Sequence, residues 1–294
     1  MALVDNSNQE TVVKQKYPKQ NPSSEISSSD SEGLVETPVQ VWPGQPEAGS
    51  LDSVASEIAV AMVYNGVSHA VMMASPTDLE VFALGFSFTE GIIERMDDIY
   101  EISTNKLDQG IEVSLQISSP CFARLKEKRR SLTGRTGCGI CGAESLQNIR
   151  LPTSSLSSEF TVSHGAIDKA TRNLNEHQPL QDLTGAVHAA CWCSLEGELV
   201  ELYEDVGRHN ALDKLIGSLW QQDRLGEQGF LLISSRASYE IIQKSVLASI
   251  GIIVAISAPT SFAIEIANEA NVTLVGFSRE GRHVAYSNLD RLVA

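Results

Sequence analysis

Apolar and polar positions follow a strand–helix rhythm through the second half of the chain. Apolar runs at 187–195 and 198–202 predict paired strands, with a turn at Glu196 and Gly197. The spacing of apolar positions then predicts a helix at 211–220, a strand at 229–234, a helix at 239–250, a strand at 252–257, a helix at 261–270 and a strand at 272–277. This order predicts an α/β fold with a mixed, largely parallel sheet flanked by helices.

The first half of the folded chain has closely spaced strands instead. Apolar runs at 57–64 and 68–74 flank Asn65 and Gly66, a pair typical of a tight β-hairpin. Thr77 and Glu80 have the spacing of a capping box, which predicts that a helix begins there. Further segments predict strands at 39–42, 99–103 and 111–117, a helix at 79–89 and a basic helical face at 124–130. We therefore expect an N-terminal antiparallel β-hairpin lobe.

These patterns divide the chain into three parts. Residues 1–37 are rich in Ser, Gln, Asn, Glu and Lys and have few apolar positions. Such a segment buries too little surface to offset the entropy cost of ordering, so we expect a disordered tail. Residues 38–130 form the predicted N-terminal lobe, and residues 131–294 form the predicted α/β core, which includes a Cys-x-x-Cys loop.

Polar motifs follow the predicted strands of the core. Residues 234–238 and 259–261 each follow a strand and open a helix, and residues 207–210 precede a helix in the same way. Backbone N–H groups and hydroxyls at such positions bind phosphate, and ligands of parallel sheets lie beyond the strand ends. Each motif alone is typical of an ordinary N-cap. Three together favour a shared anion pocket, with basic residues in or beside the motifs: Arg135, Arg208, Lys214, Arg236, Lys244, Arg279 and Arg282.

Composition excludes several classes of function. A formal net charge of −15 disfavours nonspecific nucleic-acid binding, which needs basic surface. We expect no membrane span, because no apolar run reaches about 18 residues, and no secretory signal, because the first residues lack a basic and then apolar region. Five cysteines without an export signal predict reduced thiols in the cytoplasm.

Two of these cysteines, Cys138 and Cys141, lie in a glycine-rich loop at 134–142. Arg135 precedes the first by three residues, and a predicted helix at 143–149 follows. Positive charge and a helix N-terminus both favour the thiolate, the nucleophilic form of cysteine. The pattern therefore predicts a reactive thiol, and Cys138 is the better placed of the two.

Four chemistries fit a Cys-x-x-Cys pair: a redox dithiol, a structural zinc site, a zinc deaminase and sulfur relay through a persulfide. The deaminase signature is broken, because Ala190 and not Glu stands two residues after His188. A four-thiolate zinc site would need Cys191 and Cys193, which lie in an apolar run typical of a buried strand. The residues alone leave redox, zinc and relay open. Among the histidines, His188 and His209 are the candidates for function.

Five motifs in order give the chain a family resemblance. The loop at 134–142 resembles that of the FdhD family, sulfur carrier proteins required for formate dehydrogenase activity. The other matching segments lie at 204–217, 234–240, 257–260 and 274–282. The likeness runs from about residue 38 to the C-terminus.

The resemblance implies a specific activity. Members of this family accept sulfur from a cysteine desulfurase and pass it to the molybdenum of the bis-guanine-dinucleotide cofactor, which activates formate dehydrogenase. By motif position, Cys138 would carry the persulfide. Cys141 is the second candidate catalytic residue, and its alternatives are to resolve the persulfide, to assist Cys138 or only to pack in the loop. The resemblance implies a cofactor-binding segment of Phe277, Ser278, Arg279, Glu280, Gly281 and Arg282, and it favours His209 as a further cofactor-binding residue. Arg236 joins this set because of its place in the predicted anion pocket.

The family likeness also implies a homodimer and a cytidine-deaminase-like fold without a permanently bound metal. A chaperone that protects the molybdenum cofactor without moving sulfur is one alternative function. A structural zinc protein is another.

Overall fold

A computed structural model describes residues 33–42, 50–133, 155–157 and 160–294. The strands are β1 Leu34–Pro38, β2 Leu51–Ala55, β3 Ile58–Tyr64, β4 Val67–Ala74, β5 Ile99–Leu107, β6 Gly110–Ile117, β7 Val162–Ser163, β8 His188–Cys193, β9 Leu199–Asp205, β10 Phe230–Ile233, β11 Ile252–Ala255, β12 Thr273–Arg279, β13 Arg282–Ser287 and β14 Leu292–Val293. The helices are α1 Leu79–Thr89, α2 Ser119–Thr133, α3 His164–Leu174, α4 Pro179–Thr184, α5 Arg208–Gln221, α6 Tyr239–Leu247 and α7 Ser261–Glu269.

A six-stranded sheet forms the centre of the second half, in the order β13-β12-β11-β10-β8-β9. Strands β10, β11 and β12 are parallel, and helices α6 and α7 connect them. The other pairings are antiparallel. The predicted α/β class, with mixed sheets flanked by helices, is confirmed. The parallel part is smaller than the sequence predicts, because the short β8–β9 and β12–β13 connections join only antiparallel strands.

Each face of this sheet is covered by helices. Trp192, Leu231 and Ile253 belong to a core cluster with residues of α5, α6 and α7. Their sequence neighbours Cys191 and Leu232 belong to a second cluster, which contains residues of α3. Because successive strand residues point to opposite faces, the sheet has an α5 side and an α3 side.

A four-stranded sheet forms the N-terminal lobe, in the order β4-β3-β6-β5. It consists of two antiparallel hairpins joined by parallel pairing of β3 with β6. Asn65 and Gly66 have φ of 47° and 76°, the two left-handed positions that a tight hairpin turn requires. The predicted hairpin is therefore confirmed. Helix α1 packs on this sheet through Phe82 and Leu84.

Helices α1 and α5 join the lobe to the core through two glycines. A Cβ atom added to Gly85 would lie 1.8 Å from the Asp213 carbonyl oxygen, and one added to Gly217 would lie 1.9 Å from that of Val81. These distances leave no room for a side chain. The two helix backbones are therefore in direct contact, and only glycine fits at either position.

Two local predictions are wrong. The strand predicted at 39–42 lies instead at Leu34–Pro38, where β1 pairs with β2, so residues 34–37 of the predicted tail are in a strand. Pro38 cannot donate to the ladder, which extends only one bond further, from Val39 N to Ser50 O. The capping box does not form. Asp78 is the N-cap of α1 and makes no side-chain cap bond, while Thr77 Oγ1 lies 3.3 Å from Lys214 Nζ.

Other expectations lie outside the described residues: the tail up to residue 32, the cysteine loop and the helix at 143–149. Helices α3 and α4 and strand β13 were not predicted. No helix within the described ranges combines the length and apolar character needed to cross a membrane.

Candidate functional site

Topology brings the polar motifs to one edge of the six-stranded sheet. Strands β9 and β10 both pair antiparallel with β8, so they run in the same direction. The C-terminal ends of β9, β10, β11 and β12 therefore lie at one edge, together with the first residues of β8 and β13. We call this the C-terminal edge. It carries His188, the start of α5, the segments 234–238 and 257–261, and the segment 277–282.

Hydrogen bonds hold the connections at this edge side by side. Ser234 N donates to Ala189 O at 3.1 Å, and Ala189 N donates to Ser234 Oγ at 2.8 Å. Beyond the strand ends, Ala237 forms a parallel bridge with Pro259. The β10–α6 and β11–α7 connections are therefore adjacent.

The Thr260 and Ser238 hydroxyls at these connections have different hydrogen-bond partners. Thr260 Oγ1 accepts from Ala263 N at 3.3 Å, so Thr260 is an ordinary cap of α7. Ser238 occupies the N-cap position of α6 without making the corresponding side-chain bond. Its hydroxyl lies 3.5 Å from both His209 Nε2 and Glu240 Oε2. The capping explanation of the motifs thus holds for Thr260 but not for the Ser238 side chain.

Most charged residues of the 204–217 motif are structural. Asp205 is completely buried and forms an ion pair with Lys214, with Oδ2 to Nζ at 2.7 Å. Its oxygens also accept from Gly207 N at 2.8 Å, Asn210 Nδ2 at 2.9 Å and Ser75 N at 3.1 Å. This network fixes the turn between β9 and α5 and ties it to the N-terminal lobe.

The carboxylates of Glu204 and Asp213 also have hydrogen-bond partners inside the fold. Glu204 accepts from Leu180 N and Gln181 N, both at 2.9 Å, and so satisfies the first turn of α4. Burial raises the pKa of Glu204, and these backbone bonds oppose the shift. Asp213 accepts from Lys244 Nζ at 2.9 Å and from Thr89 Oγ1 at 2.8 Å.

The predicted basic pocket therefore loses two members. Lys214 is completely buried against Asp205, and Lys244 is paired with Asp213 and Glu90. The prediction that these lysines line the anion pocket is wrong, because their ammonium groups neutralise carboxylates inside the fold. Of the 204–217 motif, Arg208 and His209 remain at the edge.

His209 has a carboxylate partner. Its Nε2 lies 3.0 Å from Glu240 Oε2, near the start of α6. The hydrogen bond from His209 lowers the pKa of Glu240, although partial burial acts in the opposite direction. The predicted cofactor residue His209 is thus half-buried at the edge, and one of its ring nitrogens is occupied.

His188 occupies the same edge on the α5 side of the sheet. It is two residues before Ala190 and pairs across β9 with Asp205. Partial burial lowers the pKa of His188, and the positive charges of Arg208 and Arg236 lower it further. The sequence singled out His188 without giving it a role. The feature that places His188 at the edge is its pairing with Asp205 at the end of β9.

The 277–282 segment contains a β-bulge. The register of β12 with β13 shifts between Gly276 and Arg279, and Phe277 adopts a left-handed φ of 50°. The bulge changes the alternation of side chains, so Ser278 is buried with its hydroxyl 2.7 Å from Thr171 Oγ1 of α3. Phe277 is left 41% exposed. Of the predicted cofactor residues, Ser278 therefore faces the interior.

The remaining residues of this segment are at the surface. Arg279 donates to Ser278 O at 2.8 Å and also to Ile256 O, which directs its guanidinium across the end of β11. Gly281 forms the turn with φ of 69°, and its N–H donates to Asp168 Oδ1 at 2.7 Å. Glu280 and Arg282 are exposed beside it.

The catalytic cysteines predicted, Cys138 and Cys141, lie outside the described residues. Cys191 and Cys193 are completely buried in the cluster that faces α3, with their sulfur atoms 3.8 Å apart. Burial raises the pKa of Cys193 well above its usual value. The prediction that this pair lies in a buried strand is confirmed. Within the described ranges, no group of three or more His, Cys, Asp or Glu side chains is arranged to hold a metal ion.

These features define the class of protein: an α/β protein that gathers arginine, histidine and an exposed aromatic side chain at the strand ends of a mixed sheet. The chain belongs to the FdhD/NarQ family, whose sequence model matches residues 55–293. The predicted family is thereby confirmed.

A solved structure has the same fold. It is the crystal structure of a candidate formate dehydrogenase accessory protein from Desulfotalea psychrophila, with 24% sequence identity and a TM-score of 0.67. The match covers 88% of this chain and 98% of that one. At this identity the likeness supports the fold. The predicted likeness to cytidine deaminases stays a prediction.

Proposed function

We propose that the protein is a sulfur carrier in the maturation of formate dehydrogenase. It accepts sulfur from a cysteine desulfurase and delivers it to the molybdenum of the bis-guanine-dinucleotide cofactor, which is its substrate. The observation that carries this proposal is the family match over 55–293, which includes Cys138 and every motif of the C-terminal edge. The solved structure from Desulfotalea psychrophila, described as that of a candidate formate dehydrogenase accessory protein, supports the same assignment.

The first step is a thiolate exchange at Cys138. The thiolate attacks the terminal sulfur of the donor persulfide, so a new S–S bond forms on Cys138 while the donor S–S bond breaks. The donor cysteine leaves as a thiolate, and no net oxidation occurs. Arg135 and the glycines of the 134–142 loop favour the anionic, accessible sulfur that this step needs.

The second step uses the C-terminal edge to hold the cofactor. Phe277 offers an exposed aromatic face for a guanine base, and Arg236, His209, Arg279 and Arg282 offer charge and donors for phosphates. A non-glycine residue at left-handed φ costs roughly 1–3 kcal/mol, and such strain is concentrated at functional sites. Its occurrence at an exposed phenylalanine supports a binding role for this segment.

The proposed partners follow from this path. A cysteine desulfurase is the donor, the apoenzyme of formate dehydrogenase is the acceptor, and the protein acts in the cytoplasm as a homodimer.

Intact mass after incubation with a cysteine desulfurase and cysteine tests the first step. We expect one added sulfur atom that a reductant removes and that Cys138→Ala abolishes. Cys141→Ala shows whether the second thiol is needed for loading. Cys191→Ala is the matched control and should load as the wild type does, because this thiol is buried in the core.

Two results would contradict the proposal: the absence of any adduct, or an adduct that persists in Cys138→Ala. Binding of guanosine diphosphate without an adduct would indicate a chaperone that holds the cofactor and moves no sulfur. Zinc at about one per chain, lost with either loop cysteine, would indicate a structural metal site.

A further inference from the structure

We propose that His188, Arg208 and Arg236 form an oxyanion site at the C-terminal edge, which binds a phosphate group of the nucleotide substrate. The nature of the nucleotide rests on the proposed function, whereas the oxyanion site rests on the geometry below. Arg236 is already among the cofactor residues of the proposed function, whereas His188 and Arg208 are new to the site.

The three residues come from three elements that meet at the C-terminal edge. His188 is the first residue of β8. Because alternate residues of a strand share a face, His188 lies on the same face of the sheet as Ala190 and Trp192, which belong to the core cluster with α5. Arg208 is the first residue of α5, which follows β9, and Arg236 lies in the β10–α6 connection. Strand β8 lies between β9 and β10, so His188 starts the strand between the two that precede these arginines. Both guanidiniums act electrostatically on the His188 imidazole, as does His209 from the next position of α5.

Nearby carboxylates are already engaged. Asp205, which faces His188 across the strand pair, is neutralised by Lys214 in the core. The charge of Arg208 helps to lower the pKa of Glu240, but the Glu240 carboxylate is hydrogen-bonded by His209. Within the described part of the chain, no carboxylate lies at ion-pair distance from Arg208 or Arg236. Among the described residues, the edge therefore has two guanidinium charges with no carboxylate at ion-pair distance, in a protein of net charge −15.

One donor of this group is buried without an acceptor. The Nε atom of Arg208 is shielded from solvent and has no hydrogen-bond partner among the described residues. Buried donors are almost always satisfied, so such an atom points to a group that binds there. A phosphate fits this demand, because guanidinium donors match its oxygens in pairs and the start of the fourteen-residue helix α5 also favours an anion.

The first test measures binding of inorganic pyrophosphate by titration calorimetry at low ionic strength. We expect Arg208→Gln and His188→Gln each to weaken pyrophosphate binding by about tenfold or more, as loss of a charge-assisted hydrogen bond does. Arg95→Gln is the matched control, since Arg95 is an exposed arginine paired with Asp97. It should bind as the wild type does. Wild-type affinity in both edge variants would overturn the proposal.

Guanosine diphosphate, titrated in parallel, separates this inference from the proposed function. If Arg279→Gln weakens nucleotide binding while Arg208→Gln and His188→Gln do not, the cofactor segment stands and the oxyanion site fails. If Arg208→Gln abolishes pyrophosphate binding but guanosine diphosphate binds no more tightly than pyrophosphate, the oxyanion site stands and recognition of guanine fails.

A second measurement distinguishes contact with the anion from a structural role of His188. The pKa of His188 can be followed by NMR of its imidazole C–H group with and without sulfate, which does not titrate in this range. Bound sulfate favours the imidazolium, so the pKa should rise by ~0.5 or more, and sulfate should bind more tightly as the pH falls through it. Arg208→Gln should remove the rise. An unchanged pKa in saturating sulfate would contradict contact.

Discussion

At the residue scale, neighbouring positions of one motif have different functions. Asp205, Asn210 and Lys214 build a buried network, whereas Arg208 and His209, between them in sequence, reach the C-terminal edge. The network supports the edge, because Gly207 N and Asn210 Nδ2 bind the same Asp205 oxygen at the start of α5. A charged residue in a motif is therefore not by itself a ligand-binding residue.

The Lys214–Asp205 pair gives a direct prediction. Lys214→Met removes the charge that neutralises a completely buried carboxylate. We expect the free energy of unfolding in urea to fall by about 3–5 kcal/mol, the usual cost of leaving one partner of a buried ion pair unpaired.

Lys169→Met is the matched control for that measurement. Lys169 is also paired, with Glu198, but both side chains are 41% exposed. Exposed pairs contribute less than about 1 kcal/mol, so this variant should remain close to the wild type. Equal, small losses in the two variants would show that the buried pair does not stabilise the turn.

Sequence reasoning found the edge but not the direction of each side chain. Arg236 follows β10 and Arg279 is the last residue of β12, and these positions alone place both residues at the edge. Lys214 and Lys244 could not be excluded in this way, because their partners Asp205 and Asp213 become neighbours only in the folded chain. The inward turn of Ser278 depends on a shift in strand register, which no local pattern shows.

At the element scale, strongly apolar segments were predictable and weakly apolar ones were not. The Asn65-Gly66 hairpin and the helices after β9, β10 and β11 have clear local signals and are present. Helix α3 was missed because its buried side is made mainly of small or polar residues, with Ile167 and Leu174 as its large members. Strand β13 follows the turn at Gly281, a glycine signal that could have predicted a hairpin.

The contact between α1 and α5 can be tested with one methyl group. In Gly217→Ala the new Cβ atom would lie 1.9 Å from the Val81 carbonyl oxygen, so the helices must separate. We expect a loss of about 3 kcal/mol or more in the free energy of unfolding, at the upper end for overpacking of a core.

Gly165→Ala in α3 provides the comparison. A Cβ atom there would approach only Ser163 Oγ, at 3.7 Å. Because alanine favours helix over glycine by up to about 1 kcal/mol, this variant should be neutral or slightly more stable. If Gly217→Ala behaves in the same way, the close contact of the two helix backbones is wrong.

At the scale of the whole molecule, the N-terminal lobe supports the site on the core. Ser75 N, just after β4, donates to Asp205 at the end of β9, and Met73 O in β4 accepts from Asn210 in the first turn of α5. The lobe thus holds the element that presents Arg208 and His209. The acidic chain has Arg208, Arg236, Arg279 and Arg282 at this edge, which favours approach of an anionic substrate there.

Transfer of labelled sulfur tests the central claim most directly. The protein is loaded with ³⁵S by a cysteine desulfurase and separated from the donor. It is then supplied with the bis-guanine-dinucleotide molybdenum cofactor and mixed with apo formate dehydrogenase. We predict that label moves to the dehydrogenase in step with the appearance of formate oxidation, and that Cys138→Ala supports neither. Formate oxidation without transfer of label, or full activation by Cys138→Ala, would contradict the account.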